Sequence, residues 1–393
     1  MIRLHDVRID NKAVDITIVD GLIHSVEEAD DGGGGCAAAP IICSGLAAFP
    51  GLRNMHSHAP MTLFRGLGDD QSLDRWLHEY IWPAEQRLTD DLVYQGTLRA
   101  CQEMLASGTT FFNDMYFHLP AMAQAVADSG IRARLGFNIF GDGDEIDNLK
   151  LKIENRLPHP DNSQSSLLNS QLSIAPHSIY TVTAKGLRRC ADACVDLGLP
   201  MHIHMSETQK EVDDCLREHG CRPWEWLDKL GILDKLGENI IAAHCLHLSD
   251  NEIRLMGDHH ITAVHCPNSN LKLGSGYRFP MLELQEAGVN VTLGTDGSAS
   301  SNNLDMIEVM KTAALLQKGW RNDPTAVSAR QILSLATGGA TLTPGQQADL
   351  FLVRLNSSAA QPTDDVSNLV YATHGEAVCL TIVDGKIVYR NGV

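Results

Sequence analysis

Two histidines lie two residues apart directly after an apolar run and a Pro-Gly pair, at His56 and His58 in "PGLRNMHSHAP". Residues i and i+2 of a β-strand point to the same face. Two imidazoles on one face at a strand end can hold a single metal ion, or they can be polar side chains that merely alternate. The pair therefore indicates a metal site only if other segments supply further ligands.

Other predicted strands also end in side chains that bind metals or move protons. Parallel barrels carry their catalytic groups at the carboxyl ends of their strands. Taken singly, a histidine there is more often a hydrogen-bonded core or loop residue, and an aspartate before glycine is usually a turn former. Several imidazoles and one carboxylate at one rim are typical of a divalent metal, zinc first, with Fe²⁺ or Mn²⁺ as alternatives. The candidates at these ends are His177, His202, His204, Glu207, His244, His247, His265 and Asp296.

The stretch "HIHMSE" offers two histidines, of which one should reach the metal. His202 and His204 share a strand face but lie about 6.6 Å apart along it. We choose His204, which is nearer the carboxyl end, and assign His202 to the barrel interior. Glu207 follows in the loop, close enough to the metal to handle protons. Because "SETQKE" also resembles a helix N-terminus, a structural role for Glu207 stays open.

The elements that must position these residues are short apolar strands alternating with helices whose apolar spacing is near 3.6. About eight such strands predict an α/β fold, a closed parallel (β/α)8 barrel, with an open doubly wound sheet as the alternative. No Gly-rich phosphate loop follows a strand, which weighs against a nucleotide-cofactor version. Besides the opening stretch, the strands are "TTFFND", "RARLGFNI", "QLSIAPH", "PMHIHMS", "NIIAAHC", "ITAVHCP" and "VNVTLGTD".

Both ends of the chain have a different pattern, with strands and hairpins. Asp20-Gly21 and Asp384-Gly385 are hairpin-turn dipeptides between alternating segments. The simplest arrangement pairs residues 1–48 with 345–393 in one small β-rich domain and leaves 49–344 as the catalytic barrel. "DDGGGGCAAAP" is expected to be a flexible loop.

The composition narrows the class of protein. The 393 residues carry a formal net charge of -18, which argues against a nucleic-acid partner. The 10 cysteines form no CxxC pair, so we expect buried free thiols in a reducing compartment. Without a visible signal peptide or a run of 18 apolar residues, a cytoplasmic enzyme with no membrane partner is expected. A homo-oligomer is common for such enzymes, but no interface can be identified from sequence.

Ordered motifs along nearly the whole chain resemble the amidohydrolase superfamily, and more closely its branch of 5-methylthioadenosine/S-adenosylhomocysteine deaminases and triazine chlorohydrolases. The resemblance implies a (β/α)8 TIM-type barrel with a small composite β-sandwich formed by both termini. The motifs include "PGLRNMHSHAPMTLFRG", "WLHEYIWPAE", "GTTFFNDMYFH", "APHSIY", "HIHMSET", "AAHC", "HCPNSNLKLGSG" and "LGTDGSASSNNLDM".

The resemblance also implies roles for individual residues. Glu207 and His244 match the proton-transfer residues, with Asp296 as a further catalytic group. His177 matches a substrate-contacting histidine, and Trp76 an aromatic residue that packs against the purine, although by itself Trp76 is more often a core anchor. The residues that resemble the metal ligands are His56, His58, His204 and Asp296.

The expected activity is zinc-dependent hydrolytic deamination of a small-molecule adenine nucleoside, giving the inosine analogue and ammonia. Leu63 and Phe64 are further candidates to pack on the base and its 5'-group. Phe137 stands where relatives that bind S-adenosylhomocysteine have an arginine, so a neutral 5'-substituent, as in 5'-methylthioadenosine, 5'-deoxyadenosine or adenosine, fits better.

Three alternatives remain open at this point. The same metal site could deaminate a guanine-like or pterin base or dechlorinate an s-triazine. The barrel could also be a non-enzymatic binding module. A nucleic-acid base deaminase is disfavoured because its His-x-Glu and Pro-Cys-x-x-Cys signature is absent.

Overall fold

Short strands and helices alternate through most of the chain, as the apolar spacing predicts. A computed structural model describes residues 1–29, 39–147, 149, 172–355 and 364–393. Most of the loop expected at 30–40, and most of the segment that follows the Phe137 strand, lie outside these residues. The strands are β1 (Ile2–Ile9), β2 (Lys12–Val19), β3 (Leu22–Glu28), β4 (Ile41–Ile42), β5 (Ala47–Pro50), β6 (Leu52–Ser57), β7 (Thr109–Tyr116), β8 (Arg132–Ile139), β9 (Leu172–Pro176), β10 (Met201–Met205), β11 (Ile240–His244), β12 (Thr262–His265), β13 (Asn290–Leu293), β14 (Leu350–Val353), β15 (Val378–Val383) and β16 (Lys386–Arg390).

Several helices begin at a residue whose side chain accepts a hydrogen bond from a backbone N–H of the first helical turn. Thr208, for example, accepts a hydrogen bond from Glu211 N at 3.1 Å and so begins a helix. The α-helices are α1 (Leu73–Trp76), α2 (Trp82–Glu85), α3 (Asp90–Ala106), α4 (Leu119–Ser129), α5 (Ala184–Leu197), α6 (Gln209–His219), α7 (Pro223–Lys229), α8 (Ile232–Leu236), α9 (Asp250–Asp258), α10 (Pro267–Lys272), α11 (Met281–Glu286), α12 (Met306–Arg321), α13 (Ala329–Thr337) and α14 (Asp365–Ala372). None of the helices in the described ranges is long and apolar enough to cross a membrane.

Eight strands, β6 to β13, pair in chain order to form a parallel barrel. At the seam, β13 lies beside β6, and Asp296 N donates to His56 O at 2.9 Å. Gly294 permits this approach, since a Cβ there would lie 2.8 Å from His56 N. The predicted (β/α)8 barrel is confirmed, with all eight predicted strands in place.

The strands of both termini form a second, mixed sheet in the order β16-β15-β14-β5-β1-β2-β3, with β4 also pairing with β1. The two predicted hairpins are present. Asp20, Gly21, Asp384 and Gly385 all have positive φ, as a two-residue turn of the favoured hand requires. The predicted β-rich unit from both termini is therefore confirmed as one continuous sheet, while the exact boundaries at 48/49 and 344/345 stay a prediction.

Two irregular helical turns lie between the first barrel strand and the first long helix. The segment between β6 and α3 contains a 3-10 helix (Ala59–Phe64) and a π-helical turn (Leu77–Ile81). π-Turns occur often at functional sites.

The barrel interior below the carboxyl rim is polar, because Asn54, Asn113 and His202 are fully buried there.

Candidate metal centre and catalytic cavity

Side chains from three distant strand ends converge at the carboxyl rim of the barrel. His58 Nε2 lies 3.2 Å from Asp296 Oδ1 and 3.3 Å from His204 Nε2. His56 Nε2 lies 3.4 Å from the same Asp296 oxygen. The structure thus brings together all four residues that the sequence analysis selected as metal ligands.

The spacing of these atoms fits a divalent ion. A tetrahedral zinc with bonds of about 2.0–2.1 Å holds its ligand atoms about 3.3–3.4 Å apart. His56 Nε2 is buried and has no hydrogen-bond partner among the described residues, although a buried polar atom normally has one. The donor set of imidazole nitrogens and one carboxylate is also a zinc-type set. The residues present therefore fit a divalent metal.

The second nitrogen of each imidazole is held by a neighbour. His58 Nδ1 lies 2.8 Å from Met115 O, and His204 Nδ1 lies 2.7 Å from His177 O. A carbonyl oxygen only accepts, so each Nδ1 carries a proton, and Nε2 is the nitrogen left to bind a ligand once it is deprotonated. Main-chain contacts therefore hold His58 and His204 with Nε2 directed at the group.

The electrostatics of the group depend on Asp296. Burial alone would raise the pKa of this carboxyl, but the neighbouring His56 and His58 hold it well below its ordinary value. Burial lowers the pKa of His56 to about 4. For His58 the effect of burial is overcome by Asp296, which raises the pKa to about 9. Asp296 is therefore a carboxylate, the form that binds a cation.

His202 occupies the position below the group. Its Nε2 lies 3.0 Å from His56 Nδ1, and its Nδ1 lies 3.1 Å from the amide nitrogen of Asn113. The same Asn113 amide donates to Met55 O at 3.1 Å. The ring of His202 thus supports His56 from within the barrel and does not itself enter the group.

Glu207 lies beside the group and is free of helix capping. Thr208 provides the side-chain cap of α6, and the Glu211 carboxylate accepts from Ser206 N at 2.7 Å and Glu207 N at 2.9 Å. The carboxyl group of Glu207 instead accepts from Ser275 Oγ at 3.1 Å and lies 3.6 Å from His244 Nε2. Burial raises the pKa of Glu207, so it retains a proton to higher pH than an exposed glutamate.

His244 ends β11 in a left-handed conformation with φ of 73°, and Asp296 has a similar φ of 63°. Such backbone costs about 1–3 kcal/mol and is concentrated at functional sites. Asn270 Nδ2 lies 2.9 Å from His244 Nδ1. Since this amide nitrogen donates, the proton of neutral His244 is on Nε2, which faces the Glu207 side. His56, His244 and Asp296 form a second group whose ligand atoms lie within 4.8 Å of one another.

A cavity of largely apolar and aromatic walls opens above these residues. Both predicted substrate contacts, His177 and Trp76, line it. Trp76 is also a core residue, 4% exposed, and its Nε1 donates to Leu67 O at 3.1 Å. The ring of His177 stacks on Phe140 at 5.1 Å. Other lining residues are His58, Met61, Leu73, Leu77, Ile81, Trp82, Glu85, Tyr116, Phe117, Asn138, Tyr180, His204, Glu207, His244, Leu273 and Asp296.

The expectation for Leu63 and Phe64 is wrong, because neither lines this cavity. Leu63 packs against Gly96 of α3, and Phe64 packs on the apolar cluster around Trp76. Glu85, which was not predicted from the sequence, also lines the cavity and accepts from Tyr116 Oη at 2.6 Å. The only indication in the sequence is that Glu85 ends the motif "WLHEYIWPAE". Most acidic residues on helices are exposed, so an acid in a helix does not by itself indicate a substrate contact.

Two strand-end histidines lie outside the group. His247 Nε2 lies 2.7 Å from Ser275 O, and His265 stacks on Phe279 at 4.3 Å. Both therefore fit the ordinary reading of a lone histidine as a packed or hydrogen-bonded residue. Arg132 and Arg134 are at the amino end of β8, where Arg132 pairs with Asp349, far along the strand from the carboxyl rim.

Comparison with known proteins identifies the family of the chain. The model of the amidohydrolase family matches residues 47–388. The chain belongs to the amidohydrolase family. It is 44% identical over 357 residues to 5'-deoxyadenosine deaminase of Methanoregula boonei, covering 88% of this chain and 80% of the relative.

One further relative and one solved structure, both named as deaminases, agree with this family assignment. A 5-methylthioadenosine/S-adenosylhomocysteine deaminase of Moorella thermoacetica is 42% identical over 391 residues, covering 96% of this chain and 90% of the relative. The crystal structure of an adenosine deaminase from Xanthomonas campestris with bound zinc superposes with a TM-score of 0.83 at 34% identity, covering 98% of this chain and 89% of that one. The prediction of a hydrolytic enzyme acting on a carbon–nitrogen bond is confirmed at this level.

Proposed function

We propose that this amidohydrolase is a zinc-dependent deaminase of adenine nucleosides. Its substrates would be 5'-deoxyadenosine, 5'-methylthioadenosine or adenosine, and its products the inosine analogue and ammonia. The observation that carries the proposal is the group of four ligand atoms, three of whose separations are 3.2–3.4 Å, beside the buried acid Glu207. The names of the relatives, deaminases of 5'-deoxyadenosine and of 5-methylthioadenosine, support the same choice of substrate.

The metal would be held by His56, His58, His204 and Asp296. When bound, a zinc ion supplies a water whose pKa is lowered from 15.7 to about 7. The remaining chemistry belongs to the chain's own side chains. Asp296 is in the carboxylate form, so it can accept a proton from the attacking water.

Deamination joins a water oxygen to C6 of the adenine ring, after which the C6–N bond breaks. The departing amino group would take the water proton that Asp296 accepted and leave as ammonia, and the second water proton would restore Glu207. Glu207 would protonate the ring nitrogen next to C6, which prevents negative charge from building up on the purine. Its raised pKa keeps the required proton available, and such acid catalysis is typically worth about 10²–10⁴-fold. His244 presents Nε2–H toward the same side and would orient the reacting oxygen by donating to it.

The cavity walls suit a flat apolar base. Trp76 and His177 would pack against or contact the nucleoside, together with Phe117, Phe140 and Tyr180. An aromatic wall gives a purine contact area without a large entropic cost, while a few polar groups fix its orientation. Asn138 and Glu85 are polar groups of this kind in the lining.

The charge of the lining favours a neutral 5'-group. Across the part of the chain that the structure describes, neither lysine nor arginine lines the catalytic cavity. Phe137 is a partly buried apolar residue that packs on the core. A substrate carboxylate would therefore find no described cationic partner, and we expect S-adenosylhomocysteine to be a poorer substrate than 5'-methylthioadenosine.

The test is a kinetic comparison on zinc-loaded enzyme. We expect ammonia release from 5'-methylthioadenosine, 5'-deoxyadenosine or adenosine with kcat/KM at least tenfold above that for S-adenosylhomocysteine or guanine, a difference of about 1.4 kcal/mol in transition-state binding. Ammonia from guanine or a pterin alone, or chloride from an s-triazine alone, would contradict the proposal. A cytoplasmic setting is part of the proposal, supported by the free, buried state of the nine cysteines found in the described ranges.

A further inference from the structure

One short segment contacts Asp296, Glu207 and His244, the three groups that the proposed function uses to move protons or to orient the reacting oxygen. The segment runs from Pro267 to Ser275 and contains α10 and the turn after it. We propose that this segment is the positioning element of the active site, acting through Ser269, Asn270 and Ser275. The inference rests on the proposed function and assigns work to the motif "HCPNSNLKLGSG", which that function leaves unused.

Each of the three side chains hydrogen-bonds to a different partner. Ser269 Oγ donates to Asp296 Oδ2 at 2.6 Å. Asn270 Nδ2 donates to His244 Nδ1 at 2.9 Å, and Ser275 Oγ donates to Glu207 Oε1 at 3.1 Å. The partners lie at the carboxyl ends of β13, β11 and β10, so the segment links three strand ends that are separate in sequence.

The three side chains are built into the protein and are not surface groups. Ser269 is 0% exposed, Asn270 1% and Ser275 8%. A buried hydrogen bond is stronger than one in water, and a lost partner leaves an unsatisfied polar group that costs about 1–3 kcal/mol. These contacts are therefore stiff enough to hold the orientation of the groups they bind.

The segment is itself anchored on two sides. Ser275 O lies 2.7 Å from His247 Nε2, which gives that strand-end histidine a purpose outside the metal group. Lys272 Nζ contacts Asp69 Oδ1 at 2.6 Å, Ala299 O at 3.0 Å and Asn302 Oδ1 at 2.8 Å. Asp69 belongs to the stretch that leads to Trp76, so Lys272 ties the segment to that stretch.

Each contact has a separate chemical effect. Donation from Ser269 occupies Asp296 Oδ2, which leaves Oδ1 directed at the histidines. Donation from Asn270 keeps His244 protonated on Nε2. Donation from Ser275 stabilises the ionised form of Glu207 and so limits how far burial raises its pKa.

The experiment compares Ser269→Ala, Asn270→Ala and Ser275→Ala with Asn268→Ala as the matched control. Asn268 lies on the same helix, but its amide donates to Glu308 Oε1 of α12 at 3.2 Å. We expect kcat to fall by about 10–100-fold in the three variants, the usual range for residues that orient a metal site, while KM and the control change little. Ser269→Thr and Ser275→Thr keep the hydroxyl and should recover most of the lost kcat.

Two readouts separate positioning from simple destabilisation. Without the Ser275 hydroxyl, the pKa of Glu207 rises, so the limb of the pH profile where activity is lost on deprotonation should move to higher pH. Ser269→Ala should also weaken zinc affinity by about 10-fold in a chelator competition, which is measured without any substrate.

The possible outcomes distinguish this inference from the proposed function. Variants that match Asn268→Ala in kcat, pH profile and zinc affinity, in an enzyme that releases ammonia, would overturn the inference and leave the function standing. Equal losses in the alanine and threonine variants would also overturn it. If the wild type deaminates no nucleoside, the function fails, and the zinc affinity of Ser269→Ala against the control still decides the positioning of Asp296.

Discussion

The carboxyl rim of the barrel and the polar layer just below it contain the same residue types but use them differently. In the layer, both ring nitrogens of His202 are hydrogen-bonded. Asn54 and Thr295 likewise exchange two bonds, at 2.7 and 3.0 Å. At the rim, a main-chain carbonyl holds Nδ1 of His58 and of His204, while each Nε2 faces another ligand atom of the group.

This difference in hydrogen bonding separates side chains that support the scaffold from side chains that can bind a metal ion. A buried polar group with all its partners is a fixed part of the scaffold, whereas one with a spare lone pair has binding capacity left for a ligand. His202 and His204 are on the same strand and both are buried, yet only His204 keeps such capacity. The partners of an imidazole therefore tell more about its role than its type or its burial.

The largest expected effect comes from removing a rim nitrogen. His204→Ala should abolish stoichiometric zinc binding and lower turnover by about 10³-fold or more, because the acidified water is lost. Metal analysis after gel filtration and an ammonia assay measure both effects. A variant that keeps a full equivalent of zinc would show that His204 is the wrong histidine.

Glu207→Gln tests the rim residue that is not a ligand. The amide cannot donate a proton as a carboxylic acid does, so kcat should fall by about 10²–10⁴-fold while zinc stays bound. The basic limb of the wild-type pH profile should also disappear, because activity depends on a protonated Glu207 whose pKa is raised by burial. Turnover close to that of the wild type would remove the acid role.

A smaller effect is expected in the layer below. His202→Gln breaks the contact with His56 Nδ1 but leaves every rim ligand in place. Zinc affinity should weaken by about 10–100-fold, with full occupancy restored at high zinc concentration. Chelator competition gives the affinity, with Asn113→Ala as a companion that removes the next contact. If zinc affinity were unchanged, or lost as completely as in His204→Ala, the distinction between layer and rim would break down.

The smallest effect should come from the cavity wall. Trp76→Phe keeps an aromatic surface but loses the bond to Leu67 O and part of the contact area. We expect KM for the nucleoside to rise by several fold, about 1 kcal/mol, with little change in zinc content. Steady-state kinetics with 5'-methylthioadenosine measure this effect. A large loss of kcat with KM unchanged would place Trp76 in the chemistry instead of the wall.

The sequence predicts the barrel well because each strand is a short apolar run that ends in a polar residue, as in "PMHIHMS" and "NIIAAHC". Since parallel strands end at one rim, the order of these runs also predicts which side chains meet. The choice of His204 over His202 needed only the rise per residue of a strand.

Contacts between distant loops could not be predicted in this way. Nothing in "HCPNSNLKLGSG" says that Ser269 and Asn270 turn toward different partners, because this depends on how α10 lies across the rim. The position of Glu85 depends similarly on the π-helical turn before it. Leu63 is expected from its apolar character to pack on the base, but a 3-10 helix directs it to α3 instead.

The central claim is that distant strand ends hold one divalent cation, and anomalous diffraction at the zinc absorption edge from crystals of the zinc-loaded protein tests it most directly. The account predicts one strong peak about 2.0–2.2 Å from His56 Nε2, His58 Nε2, His204 Nε2 and an Asp296 carboxylate oxygen. A peak bound elsewhere, or no peak at this group in crystals of active enzyme, would contradict it.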